Sequence, residues 1–149
     1  MSDATRLDAN VRQPVIMAID DEPAILASLT EVFDAAGYRC HTVSDASAAV
    51  AIATSLVPEL IVCDINLAGE SGLELCQQIK AKPELADVPV MFLSGAPIPD
   101  VIQRAHAAGG TYYLRKPFDP QVLIELVEKA LWMPHLVRHR LNRPATASS

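Results

Sequence analysis

Val15-Ile16-Met17-Ala18-Ile19-Asp20-Asp21-Glu22-Pro23 is the stretch that decides the fold. Five consecutive apolar residues break off at three acids and a proline. A short unbroken apolar run bounded by polar residues suits a parallel strand buried on both faces. Proline fits the first position of a helix, where the amide it lacks would be unpaired anyway. Ile25, Leu26, Leu29, Val32, Phe33 and Ala36 follow at helical spacing, and Gly37 supplies the stop. The reading is a strand β1 over Val15 to Ile19, then a helix α1 from Pro23.

The same pattern repeats outward along the chain. Tyr38 to Val43 reads as β2, and Asp45 caps a helix α2 with Ala49, Val50, Ala53 and Leu56 on one face, closed by Pro58. Leu60 to Cys63 reads as β3 and again ends in an acid, Asp64. Ser71-Gly72-Leu73-Glu74 has the spacing of a capping box and opens α3, with Leu75, Cys76 and Ile79 behind it. Val88 to Leu93 reads as β4. Val101, Ile102, Ala105 and Ala108 mark α4, stopped by Gly109-Gly110. Thr111 to Leu114 reads as β5. Asp119-Pro120 opens α5, with Val122, Leu123, Leu126, Val127, Ala130 and Leu131 on its buried side.

Strict alternation of strands and helices with short connections predicts a parallel sheet covered on both faces. A barrel would need about eight such units. The expectation is one doubly wound, flavodoxin-like α/β domain of five strands in the order 2-1-3-4-5 and five helices. In that order ligands bind beyond the carboxyl ends of the strands, at the switch between β1 and β3.

Composition agrees with one globular domain. The chain has 149 residues, half of them hydrophobic and a fifth charged. No apolar run approaches the roughly 20 residues that span a bilayer, and Met1 to Gln13 has no apolar stretch resembling a signal peptide. A cytoplasmic location is expected. Cys40, Cys63 and Cys76 are odd in number and share no CxxC spacing, so buried free thiols fit better than a disulfide framework or a zinc site. Residues 14–134 hold 7 basic and 16 acidic residues, a balance of −9, whereas the tail adds +3 from Arg138, Arg140 and Arg143. An acidic body argues against binding of nucleic acid by the main domain.

Functional side chains collect at the predicted ligand edge. Asp20 and Asp21 end β1, Asp64 ends β3, Ser94 ends β4 and Lys116 follows β5. A lone acid after a strand is usually a helix cap, a lone lysine a solvated charge and a lone serine a turn residue. Their convergence is what carries the chemistry. Crowded carboxylates repel one another unless a cation intervenes, and Mg²⁺ suits such a site because it takes oxygen ligands together with phosphate and water. Lys116 and the Ser94 hydroxyl suit phosphoryl oxygens, which need positive charge and donors.

Ile19-Asp20-Asp21-Glu22, Val62-Cys63-Asp64, Leu93-Ser94-Gly95-Ala96 and Tyr113-Leu114-Arg115-Lys116-Pro117-Phe118 resemble the four motifs of bacterial response-regulator receiver domains. Ser94 lies 30 residues past Asp64, and Lys116 lies 22 past Ser94, as in that family. The resemblance covers residues 14–133, leaving an N-terminal extension over 1–13 and a basic tail over 134–149. It implies that Asp64 takes a phosphoryl group from a phosphohistidine on a sensor histidine kinase or a histidine phosphotransfer protein. Asp20, Asp21, Asp64 and the Asn66 carbonyl would hold Mg²⁺. Lys116 would pair with the carboxylate and then with the phosphoryl group. Ser94 would shift to a phosphoryl oxygen with Tyr113 turning inward behind it, and the Lys116-Pro117 bond would be cis. The resemblance makes the chain a phosphoacceptor that catalyses only its own phosphorylation and dephosphorylation. Its α4-β5-α5 surface would meet an output protein of unknown identity, and a phosphorylation-dependent homodimer is a further expectation; neither nucleic acid nor membrane is an expected partner.

Some positions depart from the family pattern. Ala68 and Ser71 stand where relatives often carry Pro and Asp, so the β3–α3 loop should be less stiff. Pro97 and Pro99 should delay the start of α4 and alter the output surface. Asn66 and Ala96 sit where relatives tune the lifetime of the acyl phosphate, and a small uncharged Ala96 points to minutes rather than seconds. The tail after Pro134, with three arginines and two histidines, reads either as a solvated extension or as a short basic docking helix. A flavodoxin-type electron carrier would need a phosphate loop where the chain has Asp20-Asp21-Glu22, and an aspartate-nucleophile phosphatase would want D-x-D there. The remaining rival is a receiver-like module that binds partners without being phosphorylated.

Overall fold

The computed structural model describes residues 13–95 and 110–132. Within them lie β1 (Val15–Ile19), α1 (Pro23–Ala35), β2 (Arg39–Val43), α2 (Ala46–Leu56), β3 (Leu60–Asp64), α3 (Gly72–Lys80), a 3-10 turn (Pro83–Leu85), β4 (Val90–Ser94), β5 (Gly110–Arg115) and α5 (Pro120–Trp132). The five long strands form one parallel sheet in the order β2-β1-β3-β4-β5. Four of the five expected helices fall among the described residues. The expected α4, with Ala96, Pro97 and Pro99, lies outside them, as do both chain ends.

Alternation along each strand divides the core into two layers. Met17, Ile19, Ile61, Cys63, Val90 and Phe92 face α2 and α3, meeting Ala49, Ala53, Cys76 and Ile79. Ile16, Ala18, Leu60, Val62, Met91 and Leu93 face α1 and α5, meeting Leu29, Phe33, Leu123 and Val127. Both faces of β1, β3 and β4 are therefore dry, which is why their sequences are continuous apolar runs rather than alternating ones.

Local signals set the helix starts. Asp45 Oδ1 accepts the Ser47 amide at 3.0 Å, Ser71 Oγ accepts the Glu74 amide at 3.2 Å, and Asp119 Oδ1 accepts the Gln121 amide at 2.8 Å. Some boundaries differ from the sequence reading. Tyr38 precedes β2 and is buried edge-on against Phe33, with ring centroids 6.4 Å apart. β4 starts at Val90, and Val88 belongs to the preceding turn, its amide donating to the Leu85 carbonyl at 3.2 Å and its carbonyl accepting from Lys80 Nζ at 2.6 Å. α2 stops through Val57, which takes a left-handed φ of 47° just before Pro58. Val122 is exposed, since the buried stripe of α5 runs through Leu123, Val127 and Ala130. Cys63 and Cys76 are buried free thiols, while Cys40 is only half-buried.

Between β3 and α3 the chain makes a hairpin not expected from sequence. Asn66–Leu67 pairs antiparallel with Glu70–Ser71, and the two turn residues Ala68 and Gly69 have φ of 46° and 91°. Positive φ at both places is the geometry of a type I′ turn. Proline, locked near φ −65°, could not occupy Ala68 here. The loop is ordered by a paired turn instead of a stiff residue.

Candidate phosphoacceptor site

Sheet hydrogen bonding fixes the two deepest acids. The Asp20 amide donates to the Val43 carbonyl at 3.1 Å, which carries the β1–β2 ladder one residue past β1. The side chain of Asp20 is fully buried, and its Oδ1 accepts the Glu22 amide at 2.9 Å. Asp64 is the last residue of β3, paired in register with Leu93, and its Oδ1 accepts the Asn66 amide at 3.1 Å. In each case the carboxylate caps the chain two residues on, so both turns aim a second oxygen at the sheet edge.

Lys116 meets those oxygens from β5. Its Nζ lies 3.0 Å from Asp20 Oδ2, 3.0 Å from Asp64 Oδ2 and 2.7 Å from Glu22 Oε1. Its amide donates to the Ser94 carbonyl at 2.7 Å, and the Lys116-Pro117 peptide is cis. The ammonium is thereby held over the β1–β3 switch point by a loop tied to the end of β4. Burial pushes the Lys116 ammonium down, but the surrounding carboxylates of Glu22, Asp64 and Asp20 outweigh it and hold its pKa above the ordinary lysine value. Asp20 goes the other way from most paired acids. Burial raises its pKa, the Glu22 amide and Lys116 pull it down, and the Asp64 charge raises it again, with a net rise.

A divalent cation fits this arrangement. Asp20, Asp21 and Asp64 each offer a carboxylate oxygen, all within 4.8 Å of one another. Asp20 Oδ2 is buried and has no aligned hydrogen-bond donor, although the Lys116 charge stands 3.0 Å away. A buried acceptor with an open lone pair, in a cluster of hard oxygens, is the setting a Mg²⁺-like ion would satisfy. The acids flank an open cavity of about 590 Å³, lined by Asp21, Glu22, Ile25, Asp64, Asn66, Ala68, Gly95, Lys116 and Pro117.

Five of the residues expected from sequence, Asp20, Asp21, Asp64, Asn66 and Lys116, thus meet at one place. Ser94 is buried at the end of β4, next to Gly95 on the cavity wall. Tyr113 is half-buried in register with Phe92, against the α2–α3 layer of the core. Glu22 was missed as a site residue: it falls within the Ile19-Asp20-Asp21-Glu22 motif but was given no role in the site. Gly72 was missed too: as the first residue of α3 it abuts the Asp64 carbonyl so closely that no side chain fits. Its place in the capping box was visible, its neighbour was not.

A parallel sheet with acids and a lysine at its switch point defines a receiver-type α/β domain. The family model for the response regulator receiver domain matches residues 16–128, and the chain belongs to that family. It is 34% identical over 119 residues to the DNA-binding dual master transcriptional regulator RpaA of a Synechocystis species, covering 79% of this chain and 49% of that protein. It is also 34% identical over 143 residues to the transcriptional regulatory protein PrrA of Mycobacterium tuberculosis, covering 96% of this chain and 58% of that protein. The chain thus spans about half the length of these curated relatives. Among solved structures, the Vibrio cholerae chemotaxis protein CheY4 superposes with a TM-score of 0.75 at 25% identity, covering 79% of this chain and 98% of that one. Receiver domains are phosphoacceptor signalling domains, phosphorylated by histidine kinases and binding Mg²⁺ at an acidic pocket. Among the described residues no helix is long and apolar enough to cross a membrane.

Proposed function

We propose that the domain accepts a phosphoryl group on Asp64 from a phosphohistidine of a sensor kinase or phosphotransfer protein. The observation that carries this reading is the single ammonium of Lys116 shared at 3.0 Å between Asp20 and Asp64, beside an open cavity. An Asp64 oxygen attacks phosphorus, the bond from phosphorus to the donor's imidazole nitrogen breaks, and the nitrogen leaves with the electron pair. The Asn66 amide and Lys116 hold one Asp64 oxygen each, so the carboxylate plane is fixed before the donor arrives. Asp20, Asp21, Asp64 and the Asn66 carbonyl would hold Mg²⁺, which when bound neutralises charge on the transferring group.

The new acyl phosphate carries about −1.5 to −2 charge and strong acceptor oxygens. Lys116 then pairs with phosphoryl oxygen, the Ser94 hydroxyl donates to it, and Tyr113 follows. The readout is a change of the α4-β5-α5 surface toward an output protein or a second copy of the chain. Residues 1–13 and 134–149 flank the receiver as an extension and a basic tail, and the protein acts in the cytoplasm. The acyl phosphate should last minutes.

Intact mass after incubation with Mg²⁺ and acetyl phosphate tests the reading. Wild type should gain about 80 Da, the mass of one phosphoryl group, and Asp64→Ala should not. No gain from this donor or from a phosphohistidine donor would leave an unphosphorylated, partner-binding receiver module.

A further inference from the structure

Glu22 uses its backbone and its side chain for separate purposes. Its carbonyl accepts the Ile25 and Leu26 amides at 3.1 and 3.2 Å, which starts α1, and its amide ties down Asp20. The carboxylate makes no cap bond to the helix. Instead it reaches over the mouth of the cavity to Lys116 Nζ at 2.7 Å, closer than either buried acid. The three partners of Lys116 differ sharply in setting: the side chain of Glu22 is 59% exposed, that of Asp64 7% and that of Asp20 0%. Water can replace Lys116 at Glu22 at small cost, but not at the other two.

We propose that Glu22 is a positioning residue that draws the Lys116 ammonium toward the cavity mouth, so that it holds the Asp20 and Asp64 oxygens less tightly against a divalent cation. This rests on the reading of the site as a Mg²⁺-dependent phosphoacceptor centre and adds the residue that balances its fixed cation against its exchangeable one. Without the Glu22 carboxylate, Lys116 has only Asp20 and Asp64 to neutralise. It then competes more strongly for the same oxygens the metal needs. Asp20 Oδ2, which Lys116 approaches to 3.0 Å without an aligned hydrogen bond, is the atom at which the two cations meet.

The test is calorimetric titration of the metal-free full chain with MgCl₂ at low ionic strength. Wild type, Glu22→Gln, Lys116→Met and the double variant are compared. Glu22→Gln should raise the Mg²⁺ Kd about 2- to 5-fold, the range expected for an exposed ion pair. The difference should shrink in about 0.5 M KCl as the pair is screened. Loss of a nearby negative charge also weakens metal binding directly, and the Lys116→Met background measures that contribution alone. With no ammonium to release, Glu22→Gln must there have a smaller effect than in wild type. An equal or larger effect in that background, or an unchanged or tighter Kd in the single variant, overturns the inference. Wild type that neither binds Mg²⁺ nor gains a phosphoryl group overturns the underlying reading and this inference with it. Wild type that does both while Glu22→Gln matches it overturns the inference alone.

Discussion

Gly72→Ala should destabilise the domain and disturb Asp64 together. Gly72 opens α3, is buried, and donates its amide to the Ile65 carbonyl at 2.7 Å. A methyl group there would overlap the Asp64 carbonyl oxygen, stand 2.9 Å from its carbon and lie 3.1 Å from Cys63 Sγ. Real Cβ atoms essentially never come within 3.0 Å of a neighbour, so the two Asp64 contacts demand movement and the Cys63 contact is already tight. None of these neighbours can swing aside, because two are backbone atoms at the end of β3 and the third belongs to a fully buried side chain. Overpacking of this kind costs about 1–3 kcal/mol, and contact with backbone places Gly72→Ala near the upper end. With an m-value of roughly 1–3 kcal/mol/M, the urea midpoint should fall by about 1–2 M. Relief must come from shifting β3 or α3, so phosphorylation by acetyl phosphate should slow as well. Gly95→Ala is the control, since among the described residues nothing lies within 4 Å of its added methyl group. Urea unfolding followed by far-UV circular dichroism reads both. A Gly72→Ala midpoint within error of wild type would refute the steric reasoning.

The hairpin and the buried acid give two further predictions. Ala68→Asn should raise stability by about 0.5–1 kcal/mol, because Asn-Gly is the favoured pair for a type I′ turn and relieves alanine at positive φ. Ala68→Pro should lower it, and equal Tm values for wild type and both variants would show that the turn is not formed. Asp20 has a raised pKa in the folded protein, so the folded state binds its proton more tightly than the unfolded one. Metal-free stability therefore falls as pH rises from the ordinary value of 3.8 through the raised folded value. Asp20→Asn removes that loss. In EDTA at pH 7 it should melt above wild type, with a flatter stability–pH curve across the acidic window, and Mg²⁺ should stabilise it less. A lower melting temperature in EDTA would contradict the account.

Most of the fold was legible because its determinants are local. Ile16 to Ile19, Leu60 to Cys63 and Val90 to Leu93 are buried on both faces, so the sequence around them carries an unambiguous apolar run. Pro23 announces a helix start by its fixed ring, and Asp45, Ser71 and Asp119 do so through bonds to residues two or three positions away, which form. The hairpin at Asn66 to Ser71 was not legible, since it depends on Ala68 adopting a conformation that alanine rarely takes. The exposure of Val122 likewise depends on how α5 is rotated against α1 and the sheet, which spacing along one helix does not settle.

The site divides along the same line. Asp20, Asp64 and Lys116 could be placed together because each directly follows or ends a strand, and strand order converts chain position into spatial position. Glu22 needs one more piece of information, the direction of a long side chain, and its partner Lys116 is 94 residues away. The electrostatics of the centre turn on that contact. Among the described residues, four carboxylates, from Asp20, Asp21, Glu22 and Asp64, gather around the single ammonium of Lys116. The site is therefore short of positive charge before any phosphoryl group arrives, and a dication makes up only part of the shortfall. Phosphorylation adds roughly one further negative charge at Asp64. The described cation able to answer it is Lys116, and of its three ion pairs the one to exposed Glu22 is the least costly to give up. The contact that shares Lys116 away from the buried acids at rest is then also the one it gives up most readily for the phosphoryl group.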